Sequence, residues 1–150
     1  MSDNPELQAI LAELRDTQKE KRRLAVMKLG MVGGDEAIRI LIQTVENQYE
    51  DLIVRGRAAK LLGKIGDATA VTSLIRALDA PGYQTPLSAV EALGNLGDIR
   101  AIDPLVHIAN SRRDRIQQAA IESLDKLGYD YHANHPDDDE SAQPQPELEL

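Results

Sequence analysis

The densest set of groups that suit chemistry is His132-Ala133-Asn134-His135, followed closely by Asp137-Asp138-Asp139-Glu140. Imidazole and carboxylate are good ligands for divalent cations, but a working site also needs rigid elements that hold and orient them. These residues lie among Pro136, Pro144 and Pro146 with almost nothing apolar to bury, which predicts no packed structure. We therefore assign no metal and no cofactor. The chain contains no Cys, so disulfides, thiolate ligands and a cysteine nucleophile are excluded. Gly-rich phosphate loops, HExxH and nucleophile elbows are absent as well, and we assign no catalytic residue.

A second set is periodic. Glu36, Arg39 and Gln43, then Thr69, Thr72 and Arg76, then Arg100, Asp103 and His107, each follow an i, i+3, i+7 pattern that lines up on one helical face. Together they read as a polar, mixed-charge ladder suited to a protein partner. Arg39, Arg76 and Arg100 lead it, since a planar guanidinium grips a carboxylate through two parallel hydrogen bonds. Other cations gather elsewhere: Lys19, Lys21, Arg22 and Arg23; Arg55, Arg57, Lys60 and Lys64; Arg112, Arg113 and Arg115. A nucleic-acid reader needs a sustained basic stripe with stacking aromatics. This chain offers four Tyr and neither Trp nor Phe, so internal ion pairs on solvated faces are the expected use.

The elements that position these residues announce themselves by repetition. Leu29-Gly30-Met31-Val32-Gly33 returns as Leu62-Gly63-Lys64-Ile65-Gly66, as Leu93-Gly94-Asn95-Leu96-Gly97 and, worn, as Leu124-Asp125-Lys126-Leu127-Gly128. The closing glycines are 33, 31 and 31 residues apart, the signature of stacked supersecondary units that bury an apolar face only against each other. Before them stand Ala25, Ala58, Ala89 and Ala120, and Leu29, Leu62, Leu93 and Leu124; after them come Ala37, Ala70 and Ala101, and Leu41, Leu74 and Leu105. Both sets have the i, i+4 spacing of amphipathic helices, so each unit is a helical hairpin. Asp35, Asp67 and Asp98 are placed to cap the second helices.

Caps and breakers set the limits. A lead helix spans 4–14 from Asn4-Pro5, units span about 17–47, 50–80 and 85–110, and a last helix spans 112–127 with Ser111 and Asp114 as an approximate capping box. Pro81-Gly82 separates units two and three, and Pro104 requires either a late helix start or a kink. Residues 1–128 form one repeat domain. Residues 129–150 hold 7 acidic and no basic residues and read as a disordered acidic tail, which is placed to fold onto the basic patches and compete with an acidic partner.

Gly66-Asp67 with Ala70 and Leu74, preceded by Arg55, Ala58, Ala59 and Leu62-Gly63, resembles the short HEAT-like repeat named after phycobilisome lyases. The resemblance covers roughly residues 17–128, with Gly34 extra in unit one and Pro86 where the repeat's Arg would stand. It implies an all-α, right-handed solenoid of about three and a half hairpins whose second helices, and so the polar ladder, line a concave face. Proteins with such repeats include bilin lyase subunits and phycobilisome degradation factors as well as scaffolds. The implied partner is thus a protein, with phycobiliproteins and other photosynthetic assembly components as candidates. Ankyrin units are disfavoured because Thr85-Pro86-Leu87-Ser88 occurs once, and tetratricopeptide units because their Trp and Phe are missing.

The polar start and the lack of a long apolar run predict a cytoplasmic protein. Our sequence-based reading is a non-catalytic scaffold, adaptor or assembly factor; its alternative is a subunit of a phycobilin lyase or a phycobilisome degradation factor.

Overall fold

The computed structural model of the chain describes residues 4–136, and these form nine α-helices and no strand. In chain order they are α1 (Pro5–Leu14), α2 (Lys19–Val32), α3 (Gly34–Glu46), α4 (Leu52–Ile65), α5 (Val71–Ala77), α6 (Gln84–Leu96), α7 (Ile102–Ser111), α8 (Arg115–Lys126) and α9 (Tyr131–Asn134). The pairs α2/α3, α4/α5 and α6/α7 are the predicted hairpins. The lead helix α1 leans on α2, and α8 closes the other end against α6 and α7.

Local chemistry explains where the helices begin. Asn4 Oδ1 accepts the main-chain N–H groups of Glu6 (3.0 Å) and Leu7 (3.4 Å), while Pro5, without an N–H, takes the first helical position. Asp51 caps α4, Asp114 caps α8 and Asp130 caps α9 in the same manner. Asp67 and Asp98 each cap a single 3₁₀ turn, 68–70 and 99–101, that leads into α5 and α7. Because α7 starts only after such a turn, Pro104 is its third residue, among the N–H positions that lack an intrahelical partner anyway. It therefore requires no kink.

Two expected caps differ. Asp35 caps nothing: the extra Gly34 lets both Gly33 and Gly34 adopt positive φ, the helix starts earlier, and Asp35 falls inside its first turn. Ser111 takes no part in a capping box, for its hydroxyl turns back to the Ile108 carbonyl and Asp114 caps α8 alone. The packed structure also runs past 129, where the tail was expected to begin. Tyr131 is 2% exposed, its hydroxyl donates to Asn110 Oδ1 (2.8 Å), and the His135 ring stacks on it at 4.4 Å. Most of the predicted tail, residues 137–150, lies outside the described residues.

The repeated alanines and leucines are the core. Ala25, Ala58, Ala89, Ala120, Leu29, Leu62, Leu93 and Leu124, with Ala37, Ala70, Ala101, Leu41, Leu74 and Leu105, are all fully buried. First helices pack on first helices along the stack, α2 on α4 on α6 on α8, and this layer is closer packed than the second-helix layer. The reason lies in the opening glycines of the recurring phrase. A Cβ on Gly63 would stand 2.6 Å from Ala92 Cα, and one on Gly94 would stand 2.6 Å from Ser123 Oγ and 3.0 Å from Ser123 Cα. The closing glycine serves the turn instead. At Gly66 the chain leaves α4 in the left-handed region (φ 80°), with open space where a side chain would be. Asp125 replaces the opening glycine in the last phrase, where no further first helix packs on α8 among the described residues.

Another register position ties each hairpin to the helix before it. Eleven residues before the closing glycines stand Arg22, Arg55, Pro86 and Gln117. Arg22 donates to the carbonyls of Asp16 and Thr17 just after α1, buried Arg55 to Val45 in the last turn of α3 (3.0 Å), and Gln117 to Ala109 near the end of α7 (2.9 Å). The Val45 and Ala109 carbonyls are among those a helix end leaves without intrahelical donors. Pro86 has no donor to offer, and in that unit Thr85 Oγ1 bonds the Leu52 carbonyl of α4 instead. The N-terminal ends of α2 and α4 are tied further by Arg22–Glu50 (3.0 Å) and the two-pronged Arg23–Asp51 pair (2.9 and 3.0 Å).

Gly63→Ala is expected to lower unfolding stability by about 1–3 kcal/mol despite alanine's better helix propensity, because backbone atoms of α6 block the new methyl. Gly30→Ala is expected to cost nothing, since only the movable end of the Leu61 side chain stands in its way. Urea titration of both variants checks the contrast. Leu62→Ala, which empties a fully buried site, is expected to cost about 2–5 kcal/mol in the same assay.

Candidate partner-binding surface

All nine ladder residues except Glu36 are exposed, and Glu36 is half-buried, so the predicted face does turn away from the core. The structure nevertheless divides the ladder into parts with different freedom. Three of its members converge. Glu36, Arg39 and Gln43 of α3 line an open groove of about 400 Å³ with Ile40 and Thr44, opposite Leu11 and Leu14 of α1 and Arg15 just after it. The groove exists because α1 leans on α2 and barely touches α3. Leu7 and Ile10 of α1 are buried, whereas Leu11 and Leu14, on the adjoining stripe, remain half-buried and give the groove an apolar wall.

The three arginines differ in what already occupies them. Arg39 has no hydrogen-bond or ion-pair partner among the described residues. Arg76 makes one long contact to Glu46 (3.4 Å), whose Oε1 also accepts the Ser73 hydroxyl. Arg100 is committed: its Nε and Nη2 grip both oxygens of Asp98 at 2.8–3.2 Å, and Nη2 also reaches the Ala68 carbonyl (3.5 Å). Thr69 is committed as well, since both its N–H and its hydroxyl donate to Asp67 Oδ1. His107 lines a separate hollow with Leu78, Asp79 and Arg112, while Thr72 and Asp103 stand exposed between these places.

Sequence reasoning did not find Leu11, Leu14, Arg15, Ile40 and Thr44. The apolar excess of α1, with Leu7, Ile10, Leu11 and Leu14 making a stripe wider than one neighbour can cover, was the available signal. The His132/His135 cluster plays a packing part: His135 Nδ1 lies 3.0 Å from the Tyr131 carbonyl. Among the described residues no three His, Asp or Glu side chains are grouped to hold a metal ion. No described helix is long and apolar enough to cross a membrane.

The family model for HEAT repeats matches residues 7–85, more than half of the chain. The chain belongs to the HEAT-repeat family. The model for the PBS lyase HEAT-like repeat matches residues 86–111, so the two together follow the HEAT stack from α1 to α7. Among solved structures, the HEAT fold of this chain is similar to a chain in the complex of CpcE and CpcF of phycocyanin lyase from Nostoc sp. PCC7120. The TM-score is 0.68 at 24% sequence identity, over 85% of this chain and 56% of that one. This HEAT-repeat chain thus spans little more than half the length of that solved relative. A comparison with curated proteins finds no match.

The Arg100 side chain and, next, the Arg100 main-chain N–H hold the Asp98 carboxyl down to about 2, against an ordinary 3.8. A carboxylate whose folded-state pKa is depressed contributes stability above its unfolded value, and that contribution fades as pH falls from about 4 toward 2. Arg100→Ala is expected to bring the Asp98 midpoint up toward 3.8, as a carboxyl ¹³C NMR titration reads directly.

Proposed function

We propose that this chain is a non-catalytic protein-interaction module, an adaptor or assembly factor, that receives a segment of its partner in the groove between α1 and α3. The observation that carries this reading is the Arg39 guanidinium, without a partner among the described residues and set beside an apolar wall of Leu11, Leu14 and Ile40. An amphipathic segment fits such a groove: its apolar side covers the leucines and a carboxylate meets Arg39 through the planar fork. Glu36 and Gln43 supply the complementary acceptor and hydrogen-bonding positions. Thr72, Arg76, Asp103 and His107 extend the contact along the second-helix layer, while Arg100 and Thr69 enter only by giving up bonds they already hold. The repeat body, residues 1–128, is the binding unit.

A second reading is supported by a specific likeness. The PBS lyase HEAT-like match and the fold shared with a chain of the phycocyanin lyase complex favour a phycobiliprotein as the partner, with this chain as one subunit of a bilin lyase or as a phycobilisome degradation factor. In that role too the second-helix surface holds the protein substrate, and no residue of this chain is assigned to the covalent chemistry.

Calorimetric titration with apo-phycocyanin tests both. Binding is expected, with Arg39→Ala weakening it about tenfold, the equivalent of roughly 1.4 kcal/mol, and Arg100→Ala leaving it nearly unchanged. Equal loss in the two variants would remove the groove from the account. If free bilin is added and a covalent visible-absorbing adduct forms, the lyase reading replaces the adaptor reading.

A further inference from the structure

On the opposite layer, α2 turns Leu24 (59% exposed), Met27 (41%) and Met31 (86%) to solvent at i, i+3, i+7 spacing, an apolar ridge without a cover among the described residues. Between this ridge and α4 runs a trough of about 340 Å³ lined by Met27, Leu61, Arg57, Lys60 and Lys64. Three cations and no acid line it. Several cations on the same helices are engaged: Arg22 and Arg23 by Glu50 and Asp51, Lys28 by Glu13, and Arg55 by the Val45 carbonyl. Lys60 and Lys64 form no ion pair with any described residue, and Arg57 only touches the Arg23 carbonyl at 3.3 Å. The trough is therefore an apolar floor beside uncompensated positive charge.

We propose that this trough is the docking site of the chain's own segment Pro144–Leu150. Glu147-Leu148-Glu149-Leu150 alternates acid and leucine, so this short segment offers both the apolar and the anionic groups that the trough's lining calls for. Leu148 and Leu150 supply the apolar cover for Met27 and Leu61, and Glu147 and Glu149 supply the carboxylates for the long side chains of Lys60 and Lys64. Charge favours the pairing, since residues 137–150 carry 6 acids and no Lys or Arg. Length permits it too. Residues 137–147, fully extended, span roughly 36–40 Å, whereas the trough lies two to three helix spacings from α8, about 20–25 Å. This inference is independent of the α1/α3 groove, which lies on the other layer and stays open when the trough is filled.

Methyl ¹³C spectra of the full chain read the contact through Met27 and Met31. At low salt, both signals are expected to shift when Leu148→Ser and Leu150→Ser are introduced together. Lys60→Glu with Lys64→Glu is expected to shift the same signals while far-ultraviolet circular dichroism stays constant. Salt near 1 M, where the screening length is about 3 Å, is expected to move the unmodified chain's signals toward the variants'. Met27 and Met31 signals that are identical in the unmodified and Leu-to-Ser chains would overturn the proposal. So would differences that fade on dilution, because they would place the segment of another copy in the trough.

Discussion

The structure depends on how closely its first helices approach one another. At Gly63 against Ala92 and at Gly94 against Ser123 there is no room for a methyl group, so the backbones of α4, α6 and α8 meet almost directly. That spacing decides which leucines can be buried and where. With α4, α6 and α8 drawn together, Leu62, Leu93 and Leu124 are fully buried, and a core without Trp or Phe becomes sufficient. Ser123 shows how closely chemistry follows geometry here, since its hydroxyl bonds the Val90 carbonyl across the same contact.

Much of this was legible in the sequence because repetition carries burial. A position that is Ala in four units, or Leu in four units, must meet the same surroundings four times, and all eight residues of those two sets are fully buried. The division of labour between the two glycines was less legible. Both look like turn residues in the phrase Leu-Gly-x-x-Gly, yet only the closing one turns the chain, and the opening one lies within the helix. The carbonyl clasp at Arg22, Arg55 and Gln117 escaped notice because its residue type varies while its bond does not. Asp35 misled for a local reason, the single inserted glycine before it.

The candidate site was half visible. Helical spacing placed the ladder on an outward face, and the face is where spacing put it. What spacing does not encode is the lean of α1, which gathers Glu36, Arg39 and Gln43 into a groove and leaves His107 in another hollow. Nor does it encode competition for charge: Arg39, Arg76 and Arg100 are one residue type at related positions, and among the described residues they range from unpaired to doubly bound. Membership of the HEAT-repeat family follows from the stack itself. The proposed binding groove rests on these local departures from the repeat, which make each layer's surface particular to this chain.

The central claim is that α6 and α8 are held at a distance set by absent side-chain atoms. A double-mutant cycle measures this directly, comparing the stability cost of Gly94→Ala in the unmodified chain with its cost in a Ser123→Gly background. Removing the Ser123 side chain opens the space that the new methyl needs, so the cost should shrink by about 0.5–3 kcal/mol, the range of residues in direct contact. An equal cost in both backgrounds would mean that the helices are not spaced by this contact.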